Sequence, residues 1–277
     1  MTEHRLRIGD RRVTLLEGPA GWGEASPLPG YVCGPVASRR AAEEAAREGW
    51  PPPVRDSVPV NALVDDWPVD RDALGGFPAV KVKVGRPDPD DDVALVAAVR
   101  EAVGRDVALR IDANGAWDLE TAEAMVGRLA RWDLELVEQP VASLGELARL
   151  RRRVDVPVAA DECVHSVGDA RCLAARGAAD AVVLKVQPLG GVGAALRVAE
   201  AAGVPAIVTS MRETSVGIAA GLALAAALPE LPYACGLTAR MAGGDVVAEP
   251  LAPVDGQLRV RRVVPDPELL ARYEVTG

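Results

Sequence analysis

The chain has 277 residues, enough for one large core or two smaller ones, and its 49 % hydrophobic content excludes an intrinsically disordered protein. Its net charge of −9 and its 3 % aromatic content argue against a nucleic-acid partner, because such proteins usually present a basic face. The first ten residues lack an apolar core, the longest apolar run (217–228) is too short to span a bilayer, and the four cysteines have no CxxC spacing. We therefore expect a cytoplasmic protein without membrane insertion.

The first 57 residues predict a separate N-terminal capping segment. A β-rich run leads into a GPAG turn (18–21) and then into a loop rich in proline and glycine. A proline-rich linker (49–60) follows and connects this segment to the rest of the chain.

Residues 58–239 repeat one unit, a short β-rich run followed by a helical stretch. The β-rich runs are 59–64, 79–85, 107–112, 134–139, 156–161, 180–186, 204–210 and 231–236. The ends of the last seven runs, at about 84, 112, 138, 161, 185, 210 and 236, recur every 23 to 28 residues. Eight strands with crossovers of this length predict a parallel (β/α)8-type barrel. A doubly wound open sheet is the alternative, but no glycine-rich dinucleotide fingerprint follows the first run.

Residues 240–277 predict a short strand followed by a terminal helix. We expect this C-terminal segment to pack with residues 1–57 as one reduced α+β capping domain beside the barrel. The two termini could instead plug the bottom of the barrel.

Three successive predicted strands end in a carboxylate. These residues are Asp112, Glu138 and Asp161, and active groups of such barrels sit at the C-terminal ends of the strands. Three converging acids repel one another unless a cation joins them, and oxygen ligands without His or Cys favour Mg²⁺, with Mn²⁺ as a substitute. The alternative is that each acid caps the helix that follows it. Glu162 is expected to support this set or to pair with a lysine.

The chain contains only three lysines against 28 arginines, and all three lie in predicted strands. They are Lys81, Lys83 and Lys185. A buried lysine can lose its proton whereas arginine stays protonated, so Lys83 and Lys185 are candidate catalytic groups and Lys81 a supporting one. A cation flanked by two amines suits proton abstraction next to a carboxylate, which predicts a small anionic carboxylate substrate. Biased codon usage, or a salt bridge for each lysine, is the alternative.

Five motifs carry a family resemblance. They are KVKVG (81–85), RIDANGAW (110–117), ELVEQP (135–140), AADE (159–162) and VLKVQPLGG (183–191). They resemble the enolase superfamily in its muconate-lactonizing-like group, and within it the chain is most similar to the o-succinylbenzoate synthase family. The resemblance implies a modified barrel with a capping domain, and a divalent metal held by Asp112, Glu138 and Asp161.

The resemblance also implies roles for other residues. Lys83 would be the general base, and Lys185 would act as a cation on the opposite face of the substrate. Asn114 would support the metal ligands, and the loop with Ser26 and Tyr31 would form a lid. Ser210 and Met211 lie near strands seven and eight, where substrate selectivity is set, and they are candidate substrate contacts.

The implied reaction is the Mg²⁺-dependent syn-dehydration of 2-succinyl-6-hydroxy-2,4-cyclohexadiene-1-carboxylate to o-succinylbenzoate, through an enediolate, in menaquinone biosynthesis. An N-acylamino acid racemase or dipeptide epimerase would use the same core residues, with both lysines moving protons. An inactive metal-binding barrel with a structural or regulatory role is the third hypothesis. The N-terminal segment is shorter than the family's cap, and MRET (211–214) departs from its pattern. The oligomeric state stays open, a monomer included.

Overall fold

The structure, a computed structural model, describes residues 1–31, 34–239 and 241–275. Over these ranges the strands are β1 (Thr2–Ile8), β2 (Arg11–Gly18), β3 (Gly21–Ala25), β4 (Ser57–Pro59), β5 (Ala62–Val64), β6 (Ala79–Lys83), β7 (Ala108–Asp112), β8 (Leu134–Glu138), β9 (Val158–Ala160), β10 (Ala181–Leu184), β11 (Ala206–Val208) and β12 (Gln257–Arg259). The helices are α1 (Pro35–Arg47), α2 (Pro89–Val103), α3 (Leu119–Leu129), α4 (Leu144–Leu150), α5 (Val167–Arg176), α6 (Val186–Leu189), α7 (Val192–Ala202), α8 (Ser215–Ala227) and α9 (Pro267–Tyr273). Two short 3-10 helices cover Asp72–Leu74 and Ala130–Trp132.

The central element is a curled parallel sheet of seven strands, which confirms the predicted barrel class. Strands β5 to β11 lie side by side in chain order, each followed by helical crossover structure. The register pairs Lys83 with Asp112, and Asp112 with Glu138, so these side chains lie level on neighbouring strands. Along β6, Val80 and Val82 are fully buried in the main hydrophobic cluster, whereas the alternating lysines face the barrel interior.

The eighth predicted strand (231–236) is wrong as a strand, but its backbone still closes the barrel. Parallel bridges join Cys235 to Val60 and Gly236 to Thr209. The nitrogen of Gly236 donates to Val208 O at 2.8 Å on one side, and the nitrogen of Cys235 donates to Pro59 O at 2.7 Å on the other. Pro232 has no N–H to donate, which limits the length of a ladder in this segment.

Five helices of the barrel begin at a residue whose side chain caps the first turn. The cap residues of α2, α3, α4, α5 and α8 each accept a hydrogen bond from a backbone N–H in the first turn, and they are Asp88, Asp118, Ser143, Ser166 and Thr214. Each such cap stabilises its helix by about 1 kcal/mol. No helix of the described ranges is long and apolar enough to cross a membrane.

Beside the barrel, α1 packs on an antiparallel sheet of β1, β2 and β3. The contact depends on Gly23, since a Cβ at this position would stand 2.1 Å from Ala42 O. The two ends of the chain meet here: Leu6 bridges to Glu274, and the nitrogen of Val275 donates to Arg5 O at 2.9 Å. The division of the chain into units 1–57, 58–239 and 240–277 stays a prediction.

Candidate active site

A cavity of about 320 Å³ opens at the C-terminal edge of the parallel sheet. Of the predicted site residues, all except Ser26 line it: Tyr31, Lys81, Lys83, Asp112, Asn114, Glu138, Asp161, Glu162, Lys185, Ser210 and Met211. Leu28 and Tyr31 come from the loop after β3, so the N-terminal segment contributes one wall. The structure therefore places this loop at the barrel mouth, and the alternative of a bottom plug is wrong for it.

Lys81 joins the acids of two neighbouring strands. Its Nζ donates to Asp112 Oδ2 at 2.9 Å and to Glu138 Oε1 at 2.8 Å. Burial alone would lower the pKa of Lys81, but the two carboxylates outweigh it and the pKa is raised. The two carboxylates therefore favour the charged form of Lys81, and its supporting role stays a prediction.

Lys83 lies one step closer to the mouth than Lys81. Its Nζ donates to Asp112 Oδ2 and to Asn114 Oδ1, both at 2.7 Å, and its side chain is 28 % exposed. Asn114 Nδ2 in turn donates to Glu162 Oε1 at 2.9 Å. Burial, followed by the charge of Asp161, raises the pKa of Glu162. Asn114 and Glu162 thus form a polar rim that positions the lysine amine toward the cavity.

Lys185 lies on the opposite side of the acid set, directly after β10. Its Nζ donates to both carboxylate oxygens of Asp161 and stands 5.4 Å from the ring centroid of Tyr31. Burial would lower the pKa of Lys185, but Asp161 raises it well above its usual value. The Tyr31 hydroxyl donates to Asp161 Oδ1 at 3.4 Å. The loop after β3 therefore covers Lys185 while Lys83 stays more open.

Strained backbone marks the ends of the strands around the cavity. Asn114, Gln139 and Arg212 adopt positive φ values of 47°, 38° and 59°. Such a conformation is uncommon outside glycine and is held by the surrounding structure. Gln139 Oε1 accepts a hydrogen bond from Asp161 N at 2.7 Å, which fixes the end of β9. Sequence reasoning missed Gln139, although its position between Glu138 and Pro140 was a usable signal.

The three acids are the type of ligand that a hard divalent cation prefers, although in this structure each of them is paired with a lysine. Within residues 1–31, 34–239 and 241–275, no three acid, histidine or cysteine side chains converge closely enough to form a ready metal cage. Asp112, Glu138 and Asp161 nevertheless supply buried oxygen donors from three adjacent strands, the donor type that Mg²⁺ prefers. Burial and then the charge of Asp112 raise the pKa of Glu138 to about 8, which shows the repulsion that a cation would relieve.

Ser26 is not a substrate contact in this structure, which corrects the sequence-based assignment. It is fully buried, its Oγ donates to Glu24 Oε1, and its backbone N donates to Gln187 Oε1 at 2.8 Å. Ser26 directly follows β3 and does not line the cavity. Ser26 therefore joins the cap to the barrel, and only the later part of the loop reaches the cavity.

A pair of buried glutamates forms this junction between cap and barrel. Glu24 of β3 accepts from Thr214 N at 3.3 Å and from Gly217 N at 3.0 Å, so it caps α8 from another part of the fold. Glu213 Oε2 accepts from Met211 N at 2.6 Å. Burial and then the charge of Glu24 raise the pKa of Glu213 to about 8. We call Glu24, Ser26, Gln187 and Glu213 the junction cluster. No local sequence pattern indicated it, because its members come from three distant segments.

Comparisons with known proteins agree with this geometry. A sequence model of the family described as Enolase C-terminal domain-like matches residues 69–266. The chain is 52 % identical over 275 residues to an o-succinylbenzoate synthase of Thermobifida fusca, covering 96 % of this chain and 86 % of the relative. It is 45 % identical over 272 residues to an o-succinylbenzoate synthase of Mycobacterium marinum, covering 95 % and 82 %.

Solved structures extend the likeness to the fold. A muconate lactonizing enzyme from Pseudomonas putida superposes with a TM-score of 0.84 at 24 % identity, covering 99 % of this chain and 98 % of that one. A dipeptide epimerase from Enterococcus faecalis gives a TM-score of 0.78 at 22 % identity, covering 95 % and 96 %. At these identities the likeness shows a shared architecture of barrel and cap.

Proposed function

The chain belongs to the o-succinylbenzoate synthase family of the enolase superfamily, a family of lyases, and from this premise we propose that it dehydrates 2-succinyl-6-hydroxy-2,4-cyclohexadiene-1-carboxylate to o-succinylbenzoate. The observation that carries the proposal is the placement of Lys83 and Lys185. Lys83 ends β6 and Lys185 follows β10. Both face one cavity, on either side of strands β7, β8 and β9, which carry Asp112, Glu138 and Asp161 at or directly after their ends. A planar substrate held over the acids would have one amine on each face.

Lys83 is the proposed base. A neutral Lys83 amine takes the proton from the ring carbon that bears the carboxylate, so that a C–H bond breaks and an N–H bond forms. The electron pair of that C–H bond first moves into the ring carboxylate to give an enediolate. It then returns to form the new ring double bond as the C–O bond to the adjacent hydroxyl breaks. The departing hydroxyl leaves from the same face and receives the proton from Lys83, so that one water and an aromatic ring are formed. Arginine in place of lysine could not accept the proton at neutral pH.

Lys185 is proposed to act by its charge on the opposite face. Its buried ammonium, held by Asp161 and covered by the Tyr31 ring, stabilises negative charge that develops on the substrate without moving a proton. Lys81 keeps Asp112 and Glu138 in position and neutralises part of their charge.

Asp112, Glu138 and Asp161 are the proposed ligands of a divalent cation, Mg²⁺ first, with Mn²⁺ as a substitute. Bound there, the ion would stabilise the negative charge that builds up on the substrate carboxylate as the proton leaves. Asn114 and Glu162 would hold the surrounding polar groups in place. Removal of the ion by a chelator is expected to abolish turnover, and readdition of Mg²⁺ to restore it.

The direct test is an absorbance assay for the aromatic product with Mg²⁺ and the diene substrate. It is run beside a racemisation assay on N-succinyl amino acids in deuterated solvent. Dehydration without racemisation supports the proposal. Racemisation alone, with exchange from both faces, would replace it with an acylamino acid racemase or dipeptide epimerase. Binding of Mg²⁺ with neither activity would leave an inactive metal-binding barrel.

We also propose that the enzyme works in the cytoplasm on the route to menaquinone. The name of the relatives gives o-succinylbenzoate as the product, and the family resemblance implies menaquinone as the end of the route. Deletion of the gene in its host is expected to remove menaquinone from lipid extracts, and added o-succinylbenzoate to restore it.

A further inference from the structure

The proposed substrate carries two carboxylates, and the acid set accounts for only one of them. The ring carboxylate belongs next to Lys83 and the proposed cation. The second carboxylate ends the succinyl chain and needs a cationic partner elsewhere in the cavity, particularly in a chain of net charge −9.

Arg212 can bind that carboxylate, because the three lysines of the cavity are already paired with the acids at the strand ends. Lys81, Lys83 and Lys185 all donate to the acids that end the central strands. Among the cavity-lining residues that the structure describes, Arg212 is the single cation whose partner lies outside this acid set. It follows β11 at one edge of the sheet, and its partner Asp65 follows β5 at the other edge. The pair therefore spans the closure of the barrel, on the wall opposite the acids of β7, β8 and β9.

The contact with Asp65 is of a kind that a ligand can displace. Arg212 Nη2 donates to Asp65 Oδ2 at 2.6 Å, and the two side chains are 53 % and 46 % exposed. Exposed ion pairs contribute little to stability because water screens them. A substrate carboxylate that enters a cavity of about 320 Å³ excludes water from the guanidinium and can accept two parallel N–H bonds.

The backbone directs the side chain to this place. Arg212 adopts a φ of +59°, which an arginine rarely takes unless the structure on both sides holds it there. On one side Met211 N donates to Glu213 Oε2 at 2.6 Å, and on the other Thr214 bonds to Glu24. The junction cluster thus fixes the loop from below, while Arg212 projects at the rim.

We propose that Arg212 binds the distal carboxylate of the substrate and determines selectivity for succinylated substrates, with Asp65 holding the guanidinium ready until the substrate arrives. The proposal rests on the proposed function for the identity of the substrate. It assigns to the atypical MRET segment a role in recognition and none in proton transfer.

The test compares two ligands and three variants by calorimetry and steady-state kinetics. The ligands are o-succinylbenzoate and its analogue with the terminal carboxylate replaced by a carboxamide. The wild type is expected to bind the dicarboxylate about 10- to 100-fold more tightly than the amide, as two charge-assisted hydrogen bonds predict. Arg212→Gln is expected to lose most of that preference and to raise KM by a similar factor with a smaller change in kcat.

Asp65→Asn removes the partner that the substrate carboxylate has to displace from Arg212, and it is expected to lower KM by a few-fold. The matched control is Arg153→Gln, which breaks an ion pair with Glu123 of similar exposure (49 % and 45 %) away from the cavity. This variant should keep the wild-type KM and the wild-type affinity for both ligands. Equal loss of affinity for both ligands in Arg212→Gln would overturn the proposal, as would an Asp65→Asn variant that behaves like Arg212→Gln. If the wild type binds both ligands as predicted but does not dehydrate the diene, the proposed function fails while the role of Arg212 stands.

Discussion

The centre of the barrel and the junction between barrel and cap both bury carboxylates, but they neutralise them differently. At the centre, each acid that ends a strand bonds to a lysine ammonium. At the junction, Glu24 and Glu213 are buried near one another and their described bonds come from hydroxyl, amide and backbone donors. Arg11, whose charge acts on Glu213, donates to the carbonyl of Ser26.

The ion pairs at the centre can exchange their partners, whereas the buried glutamates at the junction keep theirs. Lysine ammonium groups on the acids can give way to another cation or to a substrate, since each pair opens onto the cavity. At the junction, burial raises the pKa of Glu213 to about 8 and also raises the pKa of Glu24, so both carboxyl groups hold a proton more tightly than exposed ones do. The first arrangement favours chemistry, and the second holds two parts of the fold together.

The largest effect is expected from Lys83→Arg. The variant keeps the positive charge beside Asp112 but cannot accept a proton, so turnover should fall by about 10²- to 10⁴-fold or more. Circular dichroism and thermal unfolding should match the wild type within a few degrees. Near-native turnover in this variant would show that the lysine amine does not move the proton.

Asp112→Asn should be the most destabilising change at the centre. It leaves the buried ammonium of Lys81 and the amine of Lys83 without a shared anion, and breaking a buried pair typically costs about 3–5 kcal/mol. Urea unfolding should show a lower midpoint with an unchanged slope. Glu123→Gln, which removes one partner of an exposed ion pair, is the matched control. A loss as small as that of the control would mean that Glu138 alone compensates the charge of Lys81.

Glu213→Gln should change how stability depends on pH. In the folded chain, burial and then the charge of Glu24 raise the pKa of Glu213 from its ordinary value of 4.5 to about 8, so the folded state binds the extra proton between these values. Stability of the wild type should therefore fall as pH rises from about 4.5 to about 8. Glu24 from β3 acts in the same direction, and Arg11 from β2 favours the ionised form and opposes it.

The glutamine variant cannot ionise, so its decline over this pH range should be smaller. Thermal unfolding of both proteins at several pH values measures the difference. Parallel curves for the two proteins would rule out Glu213 as the group responsible.

Ser26→Ala should have the smallest effect. The serine hydroxyl donates to Glu24 and accepts from Gln187 Nε2 at 3.1 Å, and the loss of buried hydrogen bonds of this kind costs about 1–2 kcal/mol. KM for the diene substrate should stay unchanged, because Ser26 does not line the cavity. A rise in KM without loss of stability would return Ser26 to the list of substrate contacts.

The barrel could be predicted from the sequence because its signal is local and repeated. Each of the seven strands is a short β-rich run before a helical crossover, and the chemical groups stand at or directly after the end of a run. The same reasoning failed at 231–236, where the backbone bonds on both sides without forming a ladder. It also did not predict β1 or α1, because the charged residues of β1 obscure its alternation.

Contacts between residues that are distant in the chain were harder to predict from the sequence. Lys83, Asp112 and Lys185 were identified by residue type and strand position, and the structure brings them to one cavity. Ser26 was misassigned because a loop has no periodicity from which the direction of a side chain follows. Glu24 and Glu213 lie almost two hundred residues apart, and only folding shows that they meet.

All three lysines of the chain lie in one cavity. Reagents that react with lysine amines should therefore label the folded protein at that cavity. In the folded state an activated ester or an aldehyde can reach lysine amines only through the cavity mouth, where Lys83 is the most exposed of the three. Apart from the α-amino group of the chain, covalent labelling therefore reports on a single place in the molecule. A ligand that fills the cavity should protect it, and unfolding should expose Lys81 and Lys185 together.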